Sequence, residues 1–178
     1  MDEVLITSIV TVGLAFSGYL ITYFINIRTD QRKEKLDRVN RQLKELYGPM
    51  FALTQASNRA WKTFTYALEQ RFPSNQPAIF SNDEDVDPEK MRLWILWVRT
   101  VFMPINEDLY ATIINYSDLL IEEAMPTCIL NFLAHVAAYK VVLKKWDEGD
   151  LSDYTSIINY PREIEEYSQS SYEQLKAE

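Results

Sequence analysis

Residues 4–27 read VLITSIVTVGLAFSGYLITYFINI and contain no charged side chain and no proline. An α-helix rises about 1.5 Å per residue, so this stretch would span about 36 Å, more than the roughly 30 Å hydrocarbon core of a bilayer. Nothing in the stretch interrupts a helix. We therefore predict that an N-terminal transmembrane helix is the first element of an all-α protein.

The residues that flank this stretch indicate whether it is cleaved and how it is oriented in the membrane. A cleaved signal peptide needs a basic leading region and a small-residue cleavage site, whereas Asp2 and Glu3 lead here and no Ala-x-Ala sequence follows. Basic residues follow the stretch and are candidates for contact with anionic lipids: Arg28, Arg32, Lys33 and Lys35. The positive-inside rule then places the N-terminus outside and the C-terminal domain in the cytoplasm. We expect an anchor over residues 1–28 and a cytoplasmic domain over 29–178.

Small residues within the apolar stretch suggest a surface for helix packing. Thr11 and Ala15 are four residues apart, and so are Gly13 and Ser17. Such pairs let two helices approach closely in lipid, and their hydroxyls can form hydrogen bonds across the contact. Alternatively, the hydroxyls bond to carbonyls of their own helix. The sequence leaves both interpretations open.

Charge is distributed unevenly along the chain and restricts the class of partner. Residues 28–45 carry seven Lys or Arg against four Asp or Glu, whereas residues 46–178 carry eleven against twenty. Contacts with nucleic-acid phosphates need a basic face, so this acidic bulk argues against nucleic-acid binding. A single cysteine agrees with a cytoplasmic domain, because it can form no internal disulfide.

The rest of the chain predicts a helical bundle that follows a long juxtamembrane helix. Apolar residues at 3-4-3 spacing extend the first helix to about residue 46, where Gly48-Pro49 should end it: Leu36, Val39, Leu43 and Leu46. A second helix should reach about residue 72, and residues 73–87 read as a loop.

Proline and glycine divide the remaining helices. Asp87-Pro88 should cap and start a helix that is apolar almost all round and therefore central. Pro104 should end or kink it, and a helix over residues 106–121 should follow. Pro126 should start another helix, which runs to residue 146 and is stopped by Gly149. A polar amphipathic helix over residues 160–176 completes the all-α bundle.

No arrangement of residues in the sequence predicts catalysis, a cofactor or a metal. His135 follows Cys128 by two helical turns, about 10.5 Å along the axis, which is too far for a nucleophile–base pair or for two ligands of one zinc ion. We interpret His135 as a half-buried packing residue. Asp83, Asp85 and Asp87 match the start of a calcium loop, but Pro88 and Trp94 occupy the positions that need Gly and Glu.

Two arginines lie on the apolar helix that follows Asp87. Arg92 and Arg99 should pair there with acidic side chains, for example Glu107, Asp108 or Asp118. A second interpretation is a pocket for an anionic ligand built on these two arginines.

Three stretches carry a resemblance to known sequences. They are RVNRQLKELYGPMFALTQASNRAW at 38–61, VFMPINEDLYATI at 101–113 and AHVAAYKVVLKKWDEGD at 134–150. The pattern resembles a group of short helical bacterial proteins that often carry one membrane span and have no assigned function. The resemblance covers most of residues 36–150 and implies a bacterial source, hence an inner-membrane location.

Together these features predict a non-catalytic, membrane-tethered interaction or scaffold subunit. Its expected partners are membrane lipids and either another protein or a second copy of the chain. The alternative is a homo-oligomeric membrane effector or pore that its cytoplasmic helical domain gates. We do not expect an enzyme, because no nucleophile–base or metal-ligand set can be assembled from these residues.

Overall fold

The computed structural model describes residues 2–73 and 87–178, except the side chains of residues 4, 5 and 10–12. Every regular element in these residues is helical. Helix α1 spans Asp2–Arg41, and a π-helical segment follows at Gln42–Tyr47. The other helices are α2 (Gly48–Arg71), α3 (Pro88–Trp97), α4 (Met103–Asn115), α5 (Thr127–Asp147) and α6 (Glu163–Lys176).

The chain divides into two compact units, one up to Asn40 and one from Arg41 onward. The first unit consists of the long N-terminal helix that the sequence predicts. In the second unit, which we call the helical domain, α2 packs against α4 and α6, and α5 packs against the same two helices. Helix α2, and not α3 as the composition suggests, is therefore central. Helix α3 leaves Arg92 and Leu96 exposed.

The prediction that Gly48-Pro49 ends a helix is wrong. The π-helical segment Gln42–Tyr47 precedes this pair directly, and Tyr47 and Gly48 keep right-handed helical backbone angles. The Gly48 N–H donates to the carbonyl of Leu43, five residues back. A proline ring normally clashes with the carbonyl four residues before it, and the wider π turn relieves this clash. The backbone therefore passes through Pro49 without leaving the helical conformation.

Pro104 is accommodated in the same way. A second π-helical segment, Val98–Phe102, joins α3 to α4, and the Met103 N–H donates to the Val98 carbonyl five residues back. Pro104 thus lies in the first turn of α4, where no backbone donor is required. Helix α4 ends at Asn115, earlier than predicted, and a short 3₁₀ turn at Ser117–Leu119 follows.

The predicted start of α3 and the predicted end of α5 agree with the structure, whereas α6 begins at Glu163 and not at residue 160. The Asp87 carboxylate accepts a hydrogen bond from the Glu89 N–H at 2.8 Å and so caps α3, with Pro88 in its first turn. Helix α5 is followed by Gly149, whose φ of 83° favours glycine. Residues 74–86 lie outside the described residues, and they include most of the predicted loop at 73–87 together with Asp83 and Asp85.

Polar residues join the core where apolar ones were predicted. Val39 and Leu46 of the predicted stripe are buried, but Gln42 is buried in place of Leu43, and Thr54 is buried further along in α2. The Gln42 amide donates to the Leu119 carbonyl at 2.9 Å, and the Thr54 and Ser168 hydroxyls lie 2.8 Å apart. The π turn shifts the phase of the helix between residues 42 and 47, because it adds residues to one turn.

Candidate functional site

A cavity of about 810 Å³ lies within the helical domain. Side chains of α2, α3, α4 and α5 line it, together with residues of the segment that leads into α6. Ligand pockets in proteins typically measure about 300 to 1,000 Å³, so this cavity is large enough for a small organic molecule.

One wall of the cavity is aromatic. Trp61, Trp94 and Phe102 line it, and their ring centroids lie 5.8 to 6.2 Å from one another. Phe64, which is fully buried, supports this wall with centroid distances of 5.5 Å to Trp94 and 5.9 Å to Phe102. We call Trp61, Trp94 and Phe102 the aromatic wall. Trp61 is 38% exposed, so the wall extends from the core to the protein surface.

Helix α5 and the segment before α6 supply a second set of rings. The His135 ring lies 5.4 Å from the Tyr139 ring and 5.6 Å from the Tyr160 ring, both edge to face. His135 is 6% exposed, more deeply buried than predicted, and its Nδ1 lies 2.6 Å from the Ile158 carbonyl oxygen. Burial lowers the pKa of His135, so the ring is neutral near pH 7. Nδ1 therefore carries the proton, and Nε2 is left as an acceptor.

Two buried polar atoms lack a hydrogen-bond partner among the described residues, and both belong to side chains that line the cavity. They are the Asn106 Oδ1 and the Tyr139 hydroxyl. Burial raises the pKa of Tyr139, and the nearby Trp94 side chain offsets this rise only in part. The Trp94 indole N–H donates to the Tyr154 carbonyl at 2.7 Å. Polar atoms buried in this way normally have a partner, but each of these two has less than 1 Å² of accessible surface, so neither is open to a molecule inside the cavity.

Charged side chains lie where the cavity meets solvent. Lys62 and Arg162 are exposed, and Glu165 is half-buried. The Glu165 carboxylate accepts hydrogen bonds from the amides of Asn58 and Gln55. Burial raises the pKa of Tyr160, which also lines the cavity, to about 12. The mouth of the cavity is thus charged, whereas its floor is neutral.

Side-chain contacts hold the segment between α5 and α6 that closes one side of the cavity. The Trp146 indole donates to the Asp153 carbonyl at 2.8 Å, and Lys145 Nζ lies 2.5 Å from the Asp153 carboxylate. The bonds from Trp94 to Tyr154 and from His135 to Ile158 hold the same segment further along. Local sequence does not reveal these contacts, because each joins a helix to a segment that has no regular structure.

The structure does not bring Arg92 and Arg99 to this cavity. Both are exposed, and neither lines it. Arg99 pairs with Asp147 at 2.7 Å, and not with any of the three acidic residues that the sequence suggests. Its guanidinium also lies 6.0 Å from the centroid of the Trp146 ring. The cations at the cavity are Lys62 and Arg162.

The predicted residues of α1 lie on an exposed helix. Gly13, Ala15 and Ser17 are exposed, and the side chain of Thr11 lies outside the described residues. The four basic residues that follow the apolar stretch are also exposed: Arg28, Arg32, Lys33 and Lys35. Ser17 Oγ donates to the Gly13 carbonyl at 2.8 Å, which is the intrahelical alternative that the sequence left open.

One residue at the edge of the cavity could be predicted from the sequence, whereas the residues of its floor could not. His135, which the sequence predicts as a packing residue, is buried on α5 together with Phe132, Tyr139, Val142 and Trp146. Asn106 gave no signal, because a single asparagine in a helix is usually exposed. Among the described residues, no three His, Cys, Asp or Glu side chains lie together as ligands of a metal ion would. No family model, curated protein or solved structure matches this chain.

Proposed function

We propose that this protein is a non-catalytic, membrane-tethered interaction subunit of a bacterial inner membrane, with its helical domain on the cytoplasmic side. One observation carries the proposal. The apolar side chains of α1 are exposed, for example Leu14 at 70% and Ile9 at 64%. None of the residues in its most apolar window is buried within the structure. A bilayer would cover this surface, which would otherwise face water at a large cost in free energy.

The polar side chains of α1 are compatible with lipid. Thr7, Ser17 and Thr22 each donate a hydrogen bond of 2.8 to 2.9 Å to the carbonyl four residues back. Because an unpaired polar group in hydrocarbon costs several kcal/mol, these bonds lower the cost of inserting the helix.

The basic residues that follow the apolar stretch support the orientation. Arg28 and Lys35 are seven residues apart, about 10.5 Å along a helix, so all four exposed basic side chains can lie near one membrane surface. Anionic headgroups on the cytoplasmic leaflet attract such a cluster with about 1 kcal/mol per basic residue.

The orientation can be tested by cysteine labelling in intact cells. In a Cys128→Ser background, Asp2→Cys and Glu148→Cys each place one thiol at an exposed position. An impermeant maleimide should label Asp2→Cys in spheroplasts and should label Glu148→Cys only after the membrane is opened. Labelling of both in intact spheroplasts, or recovery of the protein in the soluble fraction, would contradict the proposed anchor.

The interaction role is tested by native mass spectrometry of the full-length protein, extracted from its own host in mild detergent. A defined complex with a second protein is the expected result. A monomer that recovers no partner would remove the support for an interaction subunit. A homo-oligomer with no other chain would instead favour the second candidate.

The second candidate is a homo-oligomeric effector or pore whose spans pack through the Gly13 face of α1. Its support is that a Cβ at Gly13 would meet nothing within 4 Å, so the backbone there is open to a second helix. Replacing Gly13 and Ser17 with Leu should dissociate such an oligomer into monomers. Gly18→Leu is the matched control, because a Cβ there also meets nothing within 4 Å and Gly18 lies on another side of the helix.

A further inference from the structure

We propose that the cavity in the helical domain binds a free aromatic amino acid, with its ring against the aromatic wall and its two charged groups at the charged mouth. The inference concerns the helical domain alone and does not depend on the membrane anchor. It starts from a cavity of about 810 Å³ that joins an aromatic wall to three charged side chains.

The aromatic wall selects a flat and apolar group. Trp61 lines the cavity and is 38% exposed, so its ring is open to an incoming molecule. Trp94 and Phe102 are buried beside it, with ring centroids 6.2 and 5.8 Å from that of Trp61. Aromatic side chains favour stacked or edge-to-face contact with another ring. The accessible part of the wall therefore suits an indole, phenol or phenyl ring.

Two cations at the mouth are available to a carboxylate. Lys62 on α2 and Arg162, directly before α6, both line the cavity and are exposed. Neither forms an ion pair with an acidic side chain in the described part of the chain. Their long side chains can bring the charged ends to a ligand at the mouth. Because the domain is otherwise acidic, with eleven Lys or Arg against twenty Asp or Glu over residues 46–178, two unpaired cations at one opening favour a carboxylate there.

The third charged side chain adds a preference for an ammonium group. Glu165 is half-buried, and its Oε1 accepts hydrogen bonds from the amides of Gln55 and Asn58, which hold the carboxylate in place. Its Oε2 has no partner among the described residues and is not fully buried. This carboxylate would repel a purely anionic ligand, whereas an ammonium group can donate to Oε2. A ring, a carboxylate and an ammonium group together define an aromatic amino acid.

Solvation alone is the competing explanation for the three charges. Exposed charged side chains need no partner, and a cavity of this size holds several water molecules. A cavity that holds only water would not discriminate between ligands that differ in one charged group. That discrimination is therefore what the experiment must measure.

The test compares L-tryptophan with three compounds that each lack one of its features. Tryptamine lacks the carboxylate, indole-3-propionate lacks the ammonium group, and L-leucine keeps both charges but has no ring. Each is titrated calorimetrically at pH 7 and low ionic strength into the full-length protein in detergent, with empty micelles as the blank. We expect each to bind at least about fivefold more weakly than L-tryptophan. No binding of L-tryptophan up to millimolar concentration would overturn the proposal, and so would equal affinity for any of the other three.

A variant of Glu165 locates the ammonium group. Glu165→Gln keeps the size of the side chain and an oxygen that can accept from Asn58, but it removes the charge. L-Tryptophan should then bind no more tightly than indole-3-propionate. Glu166→Gln is the matched control, because Glu166 is exposed on the same helix and does not line the cavity. Unchanged affinity for L-tryptophan in Glu165→Gln would overturn the assignment, and if this variant does not fold, the ligand comparison in the unaltered protein still decides.

Variants of the two cations locate the carboxylate. Lys62→Gln combined with Arg162→Gln should weaken L-tryptophan to the affinity of tryptamine, and tryptamine itself should not bind more weakly. Arg59→Gln is the matched control, because Arg59 is exposed on α2 and does not line the cavity. An equal loss for L-tryptophan and tryptamine in the double variant would contradict a carboxylate at this position.

Discussion

Helices α1 and α5 are both long and apolar enough to cross a membrane, but they differ in how much of their apolar surface is buried. None of the residues in the most apolar window of α1 is buried, whereas 33% of those in α5 are. Helix α5 buries Ile129, Phe132 and Val136 in the core. Its last turn carries Lys144 and Lys145. The comparison shows that length and apolar composition identify a candidate span, while burial separates a core helix from one that needs a different cover.

The largest expected effect compares the same substitution in the two helices. Phe132 in α5 is fully buried, and Phe16 in α1 is 61% exposed. Phe132→Ala should lower the free energy of unfolding by about 3 to 5 kcal/mol, since it leaves a cavity in the core. Phe16→Ala should change it by less than about 0.5 kcal/mol.

Tryptophan fluorescence during denaturant unfolding measures both variants. All four tryptophans follow residue 60, so the signal reports on the helical domain. A large loss of stability in Phe16→Ala would mean that α1 supports the domain core, and the contrast between the two helices would fail.

The next effect compares two glycines. A Cβ at Gly48 would lie 2.4 Å from the Leu43 carbonyl oxygen, whereas a Cβ at Gly13 would meet nothing within 4 Å. Gly48→Ala should therefore destabilise the domain by about 1 to 3 kcal/mol, because the backbone of the π turn must shift. Gly13→Ala should leave the domain unchanged, and it improves helix propensity by about 1 kcal/mol. Thermal unfolding followed by near-ultraviolet circular dichroism distinguishes the two, and equal melting temperatures would show that the π turn tolerates a side chain.

A smaller effect depends on pH and belongs to the buried face of α5. The pKa of His135 is lowered in the folded protein, so below about pH 6.5 the unfolded chain binds a proton that the folded chain excludes. The contribution of this group is complete above pH 6.5 and is lost as the pH falls toward the lowered pKa. Denaturant unfolding between pH 7.5 and 5 should show this loss. His135→Asn, whose amide can still donate to Ile158, should show less of it, and an identical pH profile would contradict the assignment.

The smallest effect concerns a surface ion pair. The side chains of Arg99 and Asp147 are 37% and 55% exposed, so water screens their attraction. Arg99→Gln should lower the free energy of unfolding by less than about 1 kcal/mol. A loss above 2 kcal/mol would show that Arg99 supports the packing of Trp146 more than its charge suggests.

Several elements were predictable because their signals are local. The cap at Asp87-Pro88 and the end of α5 near Gly149 follow from short stretches of sequence. The continuity of the helices at Pro49 and Pro104 was not predictable, because a proline usually ends a helix. Only the neighbouring π turns keep the backbone helical at these two positions. Predicting these turns requires knowing what the wider turn packs against.

The sequence by itself determined that this protein is helical, that its first helix carries a long uncharged apolar stretch and that basic residues follow that stretch. Hydrophobic run length and charge order are properties of neighbouring residues, so they can be read along the chain. Only the tertiary structure decided that Gln42 and Thr54 are buried, that Arg99 pairs with Asp147, and that Asn106 and Tyr139 line a common cavity. These features join residues far apart in sequence, and which of them meet depends on how the helices pack.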